Sequence, residues 1–168
     1  MTPTRGADAH RAEIDIDAPP GWAYDLLADV TRMGEWSPEC VRCRWIGAPR
    51  RPEVGARFRG TSRNGRRRWS TVSTVSAATP GRTFAFDVTY FRLPVAGWRY
   101  EFSPNDSGGT HVAESVEDRR GRLIRTLSPL ITGSPDRGRR NTETMQATLT
   151  RLKAAAEQPN PLRDPPPG

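Results

Sequence analysis

The amino-acid sequence predicts an α+β fold: an antiparallel sheet of six to seven strands, two short helices after the first strand, and a long C-terminal helix over one sheet face. Three observations carry this. Apolar residues recur with period two through most of residues 39–118, between blocks of helical spacing on either side. Those strands gather aromatic side chains on one face and arginines on the other, the mark of a sheet covered on one side. The closing helix is roughly 30 Å long at about 1.5 Å per residue, enough to lie across a whole sheet.

Taken in order, "HRAEIDIDA" alternates into a strand ending at Ala18. Pro19 and Pro20 then open a helix, "PPGWAYDLLADV", because proline is tolerated in a first helical turn. Trp22, Leu26, Leu27 and Val30 recur on it at helical spacing, and "TRMGEW" forms a further short turn. "CVRCRWI" alternates, placing Val41, Cys43 and Trp45 on one face and Cys40, Arg42 and Arg44 on the other. "VGARFRGTSRNGRRRWSTVSTV" is read as strand, turn and strand, with Asn64-Gly65 suited to a type I′ hairpin. Thr79-Pro80-Gly81 marks the next turn, and "RTFAFDVTYF", "AGWRYEF" and "THVAESVE" are the remaining strands. Ser134-Pro135 is expected to cap and start the last helix, whose Met145, Leu149, Leu152 and Ala156 form one stripe.

A chain of 168 residues fits one domain, here spanning 9–157. Residues 1–8 and the tail "QPNPLRDPPPG" (158–168) are polar or proline-rich and expected to be disordered. "MTPTRGADAHRAE" lacks an apolar core, and no apolar run reaches membrane-spanning length, so a soluble cytoplasmic protein is expected. Arginine supplies all but one of the 26 basic side chains, and the net charge is +7. Residues 119–140 hold seven arginines against one aspartate, 7 − 1 = +6, so most of the excess is concentrated there.

The predicted inner face runs through Phe58, Trp69, Thr71, Ser73, Phe86, Val88, Tyr90, Trp98, Tyr100, Val112, Glu114 and Val116. The outer face carries Arg57, Arg59, Arg66, Arg68, Arg99 and Glu101. A single helix does not cover five or six curved strands completely. The inner aromatics therefore either fill the space as ordinary core or line a cavity between sheet and helix, the usual form of a small-molecule site.

Several stretches together are similar to the START-like superfamily, also called SRPBCC, and within it to the polyketide cyclase/dehydrase and lipid-transport group. They are "AEIDIDAPPGWAYDLLADVTRMGEWSPE", "VGARFRG", "RRWSTVSTVSAATPGRTFAFDV", "GWRYEFSPNDSGGTHVAESVE" and "TLTRLKAAAE", which span nearly all of residues 10–157. The resemblance implies a helix-grip fold, a curved sheet wrapped around the C-terminal helix with a deep apolar cavity between them. It also implies a small hydrophobic ligand, lipid-like or aromatic, carried or sensed. Family activities include aromatase/cyclase chemistry, so a polyketide cyclase or dehydratase is the alternative; fold alone does not choose. The ligand-contacting candidates are Tyr24, Trp36, Phe58, Trp69, Thr71, Phe86, Val88, Trp98, Tyr100, Met145 and Leu149. Trp36, next to Ser37-Pro38, would help wall or close the cavity, or else simply pack under the first helix.

Glu114 is the one acidic residue on the predicted inner face. A buried carboxyl without a partner has a raised pKa and suits general acid or base catalysis, with Tyr100 and Thr71 nearby. Alternatively the strand exposes it, or an arginine pairs with it. On a regular strand Cys40 and Cys43 point to opposite faces with Cα atoms about 10 Å apart, beyond the ~7 Å reach of a disulfide. With His10 and His111 apart and without ligand spacing, no metal site and no cofactor is expected. In 119–140, Leu123, Ile124, Leu127, Leu130 and Ile131 follow helical spacing among arginines, although Pro129 interrupts them. Such a segment suits an anionic membrane surface; alternatively its apolar positions close the cavity's end. The outward arginines raise nucleic acid as a third partner, but the aromatics lie on the opposite face, where they offer no stacking platform to a bound strand.

Overall fold

The computed structural model describes residues 9–159. The segments expected to be disordered lie outside those residues, except for Gln158 and Pro159. β1 (Ala9–Ile16) buries Ala12 and Ile16 and turns Arg11, Glu13 and Asp15 outward. Helix α1 (Pro20–Ala28) starts on its proline, and Tyr24, Leu26 and Leu27 are buried. Asp29 accepts the Thr31 N–H at 3.1 Å and starts a 3₁₀ turn, Val30–Arg32, that runs into α2 (Met33–Trp36).

Six strands then follow as a meander: β2 (Cys40–Ile46), β3 (Arg57–Asn64), β4 (Arg67–Thr79), β5 (Thr83–Tyr90), β6 (Leu93–Pro104) and β7 (Thr110–Asp118). The sheet has seven antiparallel strands in the order β1-β7-β6-β5-β4-β3-β2, so α1 and α2 carry the chain from one edge to the other. The chain closes with α3 (Arg122–Thr132) and α4 (Arg137–Ala156). α4 packs chiefly on β1, α1 and α2, with lesser contact to β7. Met145, Leu149, Leu152 and Ala156 are fully buried there, in the core shared with Ile16, Leu27, Phe84 and Val112. The concave face of β3–β6 is thus left free to wall a cavity.

Four local expectations are corrected. The β3–β4 turn is Gly65-Arg66, with Asn64 paired to Arg67; only Gly65 has positive φ (+58°), so glycine stands first in the loop, as in a type II′ turn rather than type I′. The residues from Val54 to Ala56 precede β3, and Val54 is exposed. α4 is capped by Asp136, whose carboxylate accepts the Arg139 N–H at 3.0 Å, rather than by Ser134. The fourth concerns β2. Cys40 pairs with Ser62 and Arg42 with Thr61, so Val41 is an extra, bulged residue and is 47% exposed. The bulge resets the alternation and brings Cys40 onto the face of Cys43, with the two sulfurs 3.3 Å apart.

α3 continues through Pro129 as one helix. One end follows the Arg119 N–H bond to the Val95 carbonyl at 3.0 Å, where β6 begins. At the other end Asn64 Nδ2 donates to the Thr132 carbonyl at 2.9 Å. The helix therefore bridges from β6 and β7 to the β3–β4 hairpin, across the end of the concave face. Ile124 and Ile131 turn inward, while Leu123, Leu127 and Leu130 are exposed.

Candidate ligand cavity

Between the sheet, α3 and α4 lies a cavity of about 190 Å³. Its floor is built by cross-strand pairs of the concave face: Phe58 opposite Ser73, Ser73 opposite Val88, Phe86 opposite Trp98, and Tyr100 opposite Glu114. Phe58 and Phe86 meet edge-on at 5.1 Å between ring centroids, so the rings form a continuous wall. Trp69, Thr71 and Tyr90 also line the sheet side, as do Cys40 and Cys43 of β2. The α4 side is polar: Arg137, Asn141, Thr144 and Thr148 recur at helical spacing and face the cavity.

Of the candidates named from sequence, the structure brings Phe58, Trp69, Thr71, Phe86, Val88, Trp98, Tyr100 and Glu114 together on this wall. Tyr24, Trp36, Met145 and Leu149 stand outside it. Tyr24 is buried edge-on against Phe84 and Phe102, at 6.3 and 5.7 Å. Trp36, the last residue of α2, is buried with the Arg32 guanidinium 5.0 Å from its ring, while its neighbours Met33 and Ser37 reach the cavity. Met145 and Leu149 are fully buried in the core, where α4 packs on β1 and α1. The apolar stripe that carries Met145 and Leu149 is core, and the neighbouring polar face of α4 lines the cavity.

Glu114 is 1% exposed. Among the described residues no arginine pairs with it; Tyr100 Oη donates to its Oε1 at 2.7 Å, and Oε2 has no partner. Burial raises its pKa to about 8, and the Tyr100 hydrogen bond offsets only part of that rise. Tyr100 is itself pushed well up, first by burial and then by the neighbouring carboxyl. At neutral pH the pair is a phenol and a carboxylic acid, with one oxygen of the acid unpartnered in an aromatic cavity.

Three ion pairs brace the polar end, two of them on one carboxylate. Glu39 receives both terminal nitrogens of Arg137, at 3.0 and 2.7 Å, and Arg140 Nε at 3.0 Å. Burial would raise the Glu39 carboxyl, but the two guanidinium groups outweigh it and hold the pKa below its ordinary value. Arg137 also lies over Trp69, 5.8 Å from the ring centroid. Arg120 binds Asp118 and donates to Ser128 Oγ at 3.0 Å, fixing α3 to the end of β7. Glu39 and these arginines were not among the candidates; only their packing across 98 residues of sequence makes them part of the site. Among the described residues no group of three or more His, Cys, Asp or Glu side chains is placed to hold a metal ion, and no helix is long and apolar enough to cross a membrane.

Residues 9–157 match the family model described as polyketide cyclase / dehydrase and lipid transport. Among solved structures, the chain is similar to the Polyketide_cyc-like protein Cgl2372 of Corynebacterium glutamicum, at 29% identity and TM-score 0.56, covering 89% of each chain. It is similar in fold to ginseng major latex-like protein 151 of Panax ginseng, at 9% identity and TM-score 0.68, covering 89% of this chain and 97% of that one. It also superposes on the di-domain ARO/CYC StfQ of the steffimycin biosynthetic pathway, at 15% identity and TM-score 0.67, covering 89% of this chain and 50% of that one. No curated protein sequence matches the chain. With the helix-grip architecture and a family match over nearly its whole described length, the chain belongs to the polyketide cyclase / dehydrase and lipid-transport family.

Proposed function

We propose that this protein holds a small, flat hydrophobic molecule bearing a carbonyl or hydroxyl oxygen, as a carrier or sensor in the cytoplasm. The observation that carries this reading is Glu114: a buried carboxyl in the cavity wall whose Oε2 has no partner among the described residues. An unpaired buried polar atom costs about 1–3 kcal/mol, which a ligand oxygen hydrogen-bonded to the acid recovers. Phe86 and Trp98 supply flat apolar contact, and the cavity is small beside the ~300–1,000 Å³ of common ligand sites, favouring one or two rings over a multi-ring lipid. Native mass spectrometry of freshly purified protein tests it: a co-purified organic guest, lost from a Thr71→Phe variant that fills the cavity, supports the reading. A bare chain that also refuses hydroxyaryl ketones contradicts it.

A second reading, a cyclase or dehydratase, is favoured by one specific feature. A carboxyl titrating at about 8 is protonated at neutral pH yet close enough to exchange its proton. Glu114 would donate its proton to a carbonyl oxygen of a polyketide-like substrate, take a proton from the adjacent C–H as the resulting carboxylate, and return that proton to a departing hydroxyl, which leaves as water. Turnover lost in Glu114→Gln with ligand binding retained selects the enzyme; no turnover by either protein selects the carrier.

The exposed Leu123, Leu127 and Leu130, flanked by Arg122 and Arg125, support delivery from an anionic membrane surface on which α3 rests. Co-sedimentation with phosphatidylserine vesicles that is lost on Leu123→Ser with Leu130→Ser tests this; equal sedimentation of both proteins argues against it.

A further inference from the structure

The β2 bulge produces an arrangement that a regular strand forbids. Cys40 and Cys43 lie 3.3 Å apart, sulfur to sulfur, and both line the cavity. Cys43 is only 7% exposed and Cys40 is half-buried. Gly60 is the cross-strand partner of Cys43, and an added Cβ there would stand 3.5 Å from its sulfur; its absence keeps the space over that sulfur open. The thiols are also unequal. Cys40 is lowered, first by the hydrogen bond from Cys43 and further by the Arg42 N–H, against burial. Cys43 is pushed up by giving that hydrogen bond and by burial, so it keeps its proton.

We propose that Cys40 and Cys43 are a modification site, a cavity-wall dithiol that a hydroperoxide converts to an intrachain disulfide. The Cys40 thiolate attacks the OH-bearing oxygen of the peroxide; the O–O bond breaks, the departing oxygen takes up the proton that Cys40 released on ionising and leaves as an alcohol or water, and Cys40 becomes a sulfenic acid. The Cys43 sulfur then attacks Cys40 Sγ. The S–O bond breaks, and hydroxide leaves with the Cys43 proton as water. Two thiols and one hydroperoxide thus give one disulfide, one alcohol (or water) and one water; sulfur is oxidised and peroxide oxygen is reduced. The sulfurs close from 3.3 Å to about 2.05 Å, beside Gly60 and Phe58 on the cavity wall. A low-molecular-weight thiol reverses the step by exchange. The chemistry depends on the wall's geometry and not on which guest the cavity takes.

The test uses the full, reduced chain and hydrogen peroxide at one equivalent. Expected are loss of both titratable thiols, an intact mass lower by two hydrogens, and a disulfide joining the tryptic peptides MGEWSPECVR and CR. Dimedone should label Cys43→Ser at Cys40, and should not label Cys40→Ser. The proposal is overturned if both thiols survive, if either cysteine goes to sulfinic acid instead, or if bridges form only between chains. It is overturned equally if dimedone labels the two variants alike.

Discussion

Replacing Glu114 by Gln removes one ionisable group while keeping the shape of the side chain and the acceptor for Tyr100 Oη. Above pH 4.5 the unfolded chain carries Glu114 ionised, whereas the folded protein keeps its proton up to about 8. The folded state then binds one more proton than the unfolded state, so stability falls as pH rises across that window and levels above it. A rise from 4.5 to about 8, at about 1.4 kcal/mol per unit, amounts to on the order of 5 kcal/mol. Urea unfolding of both proteins, followed by tryptophan fluorescence from about pH 5 to about pH 8, measures it, because the titrations of all other groups cancel in the difference. The Gln variant should gain on the parent by several kcal/mol between those limits. Parallel stability curves would refute the reasoning and place an ionised Glu114 in contact with water.

Three further outcomes are expected. Glu39→Ala leaves Arg137 and Arg140 without their shared carboxylate and should cost about 3–5 kcal/mol in urea melts. In the parent, the depressed Glu39 pKa gives stability that is present above the ordinary value of 4.5 and lost as pH falls through the lower folded value. Phe86→Ala should cost about 3–5 kcal/mol and enlarge the cavity, shifting preference to bulkier aromatic guests in competition assays. Phe91 and Arg92 form the β5–β6 turn at φ +46° and +66°, so Arg92→Gly should raise stability by about 1 kcal/mol, read as a higher thermal midpoint.

The faces of β3–β7 were legible because alternation needs no long-range information: Phe58, Phe86, Tyr100 and Glu114 lie together as period two places them. What defeated the pattern was local irregularity. The bulge at Val41 moved Cys40 to the other face, and nothing in "CVRCRW" announces an extra residue. Phe91-Arg92 lacks the Gly or Asn that signals a tight hairpin, so that turn was invisible and Leu93–Val95 were not read as strand. On α4, the sequence marked an apolar stripe but not its partner. Met145 and Leu149 are buried in the core where α4 packs on β1 and α1, and the polar residues beside them line the cavity. The Glu39–Arg137 pair joins segments 98 residues apart, a contact that only the packed fold creates.

The measurement that bears most directly on the cavity as a binding site is native mass spectrometry of the intact chain with a small hydroxyaryl ketone at saturation, beside Thr71→Phe. A one-to-one adduct on the parent that vanishes in the filled variant is the predicted result. No adduct, or the same adduct on both proteins, would contradict it.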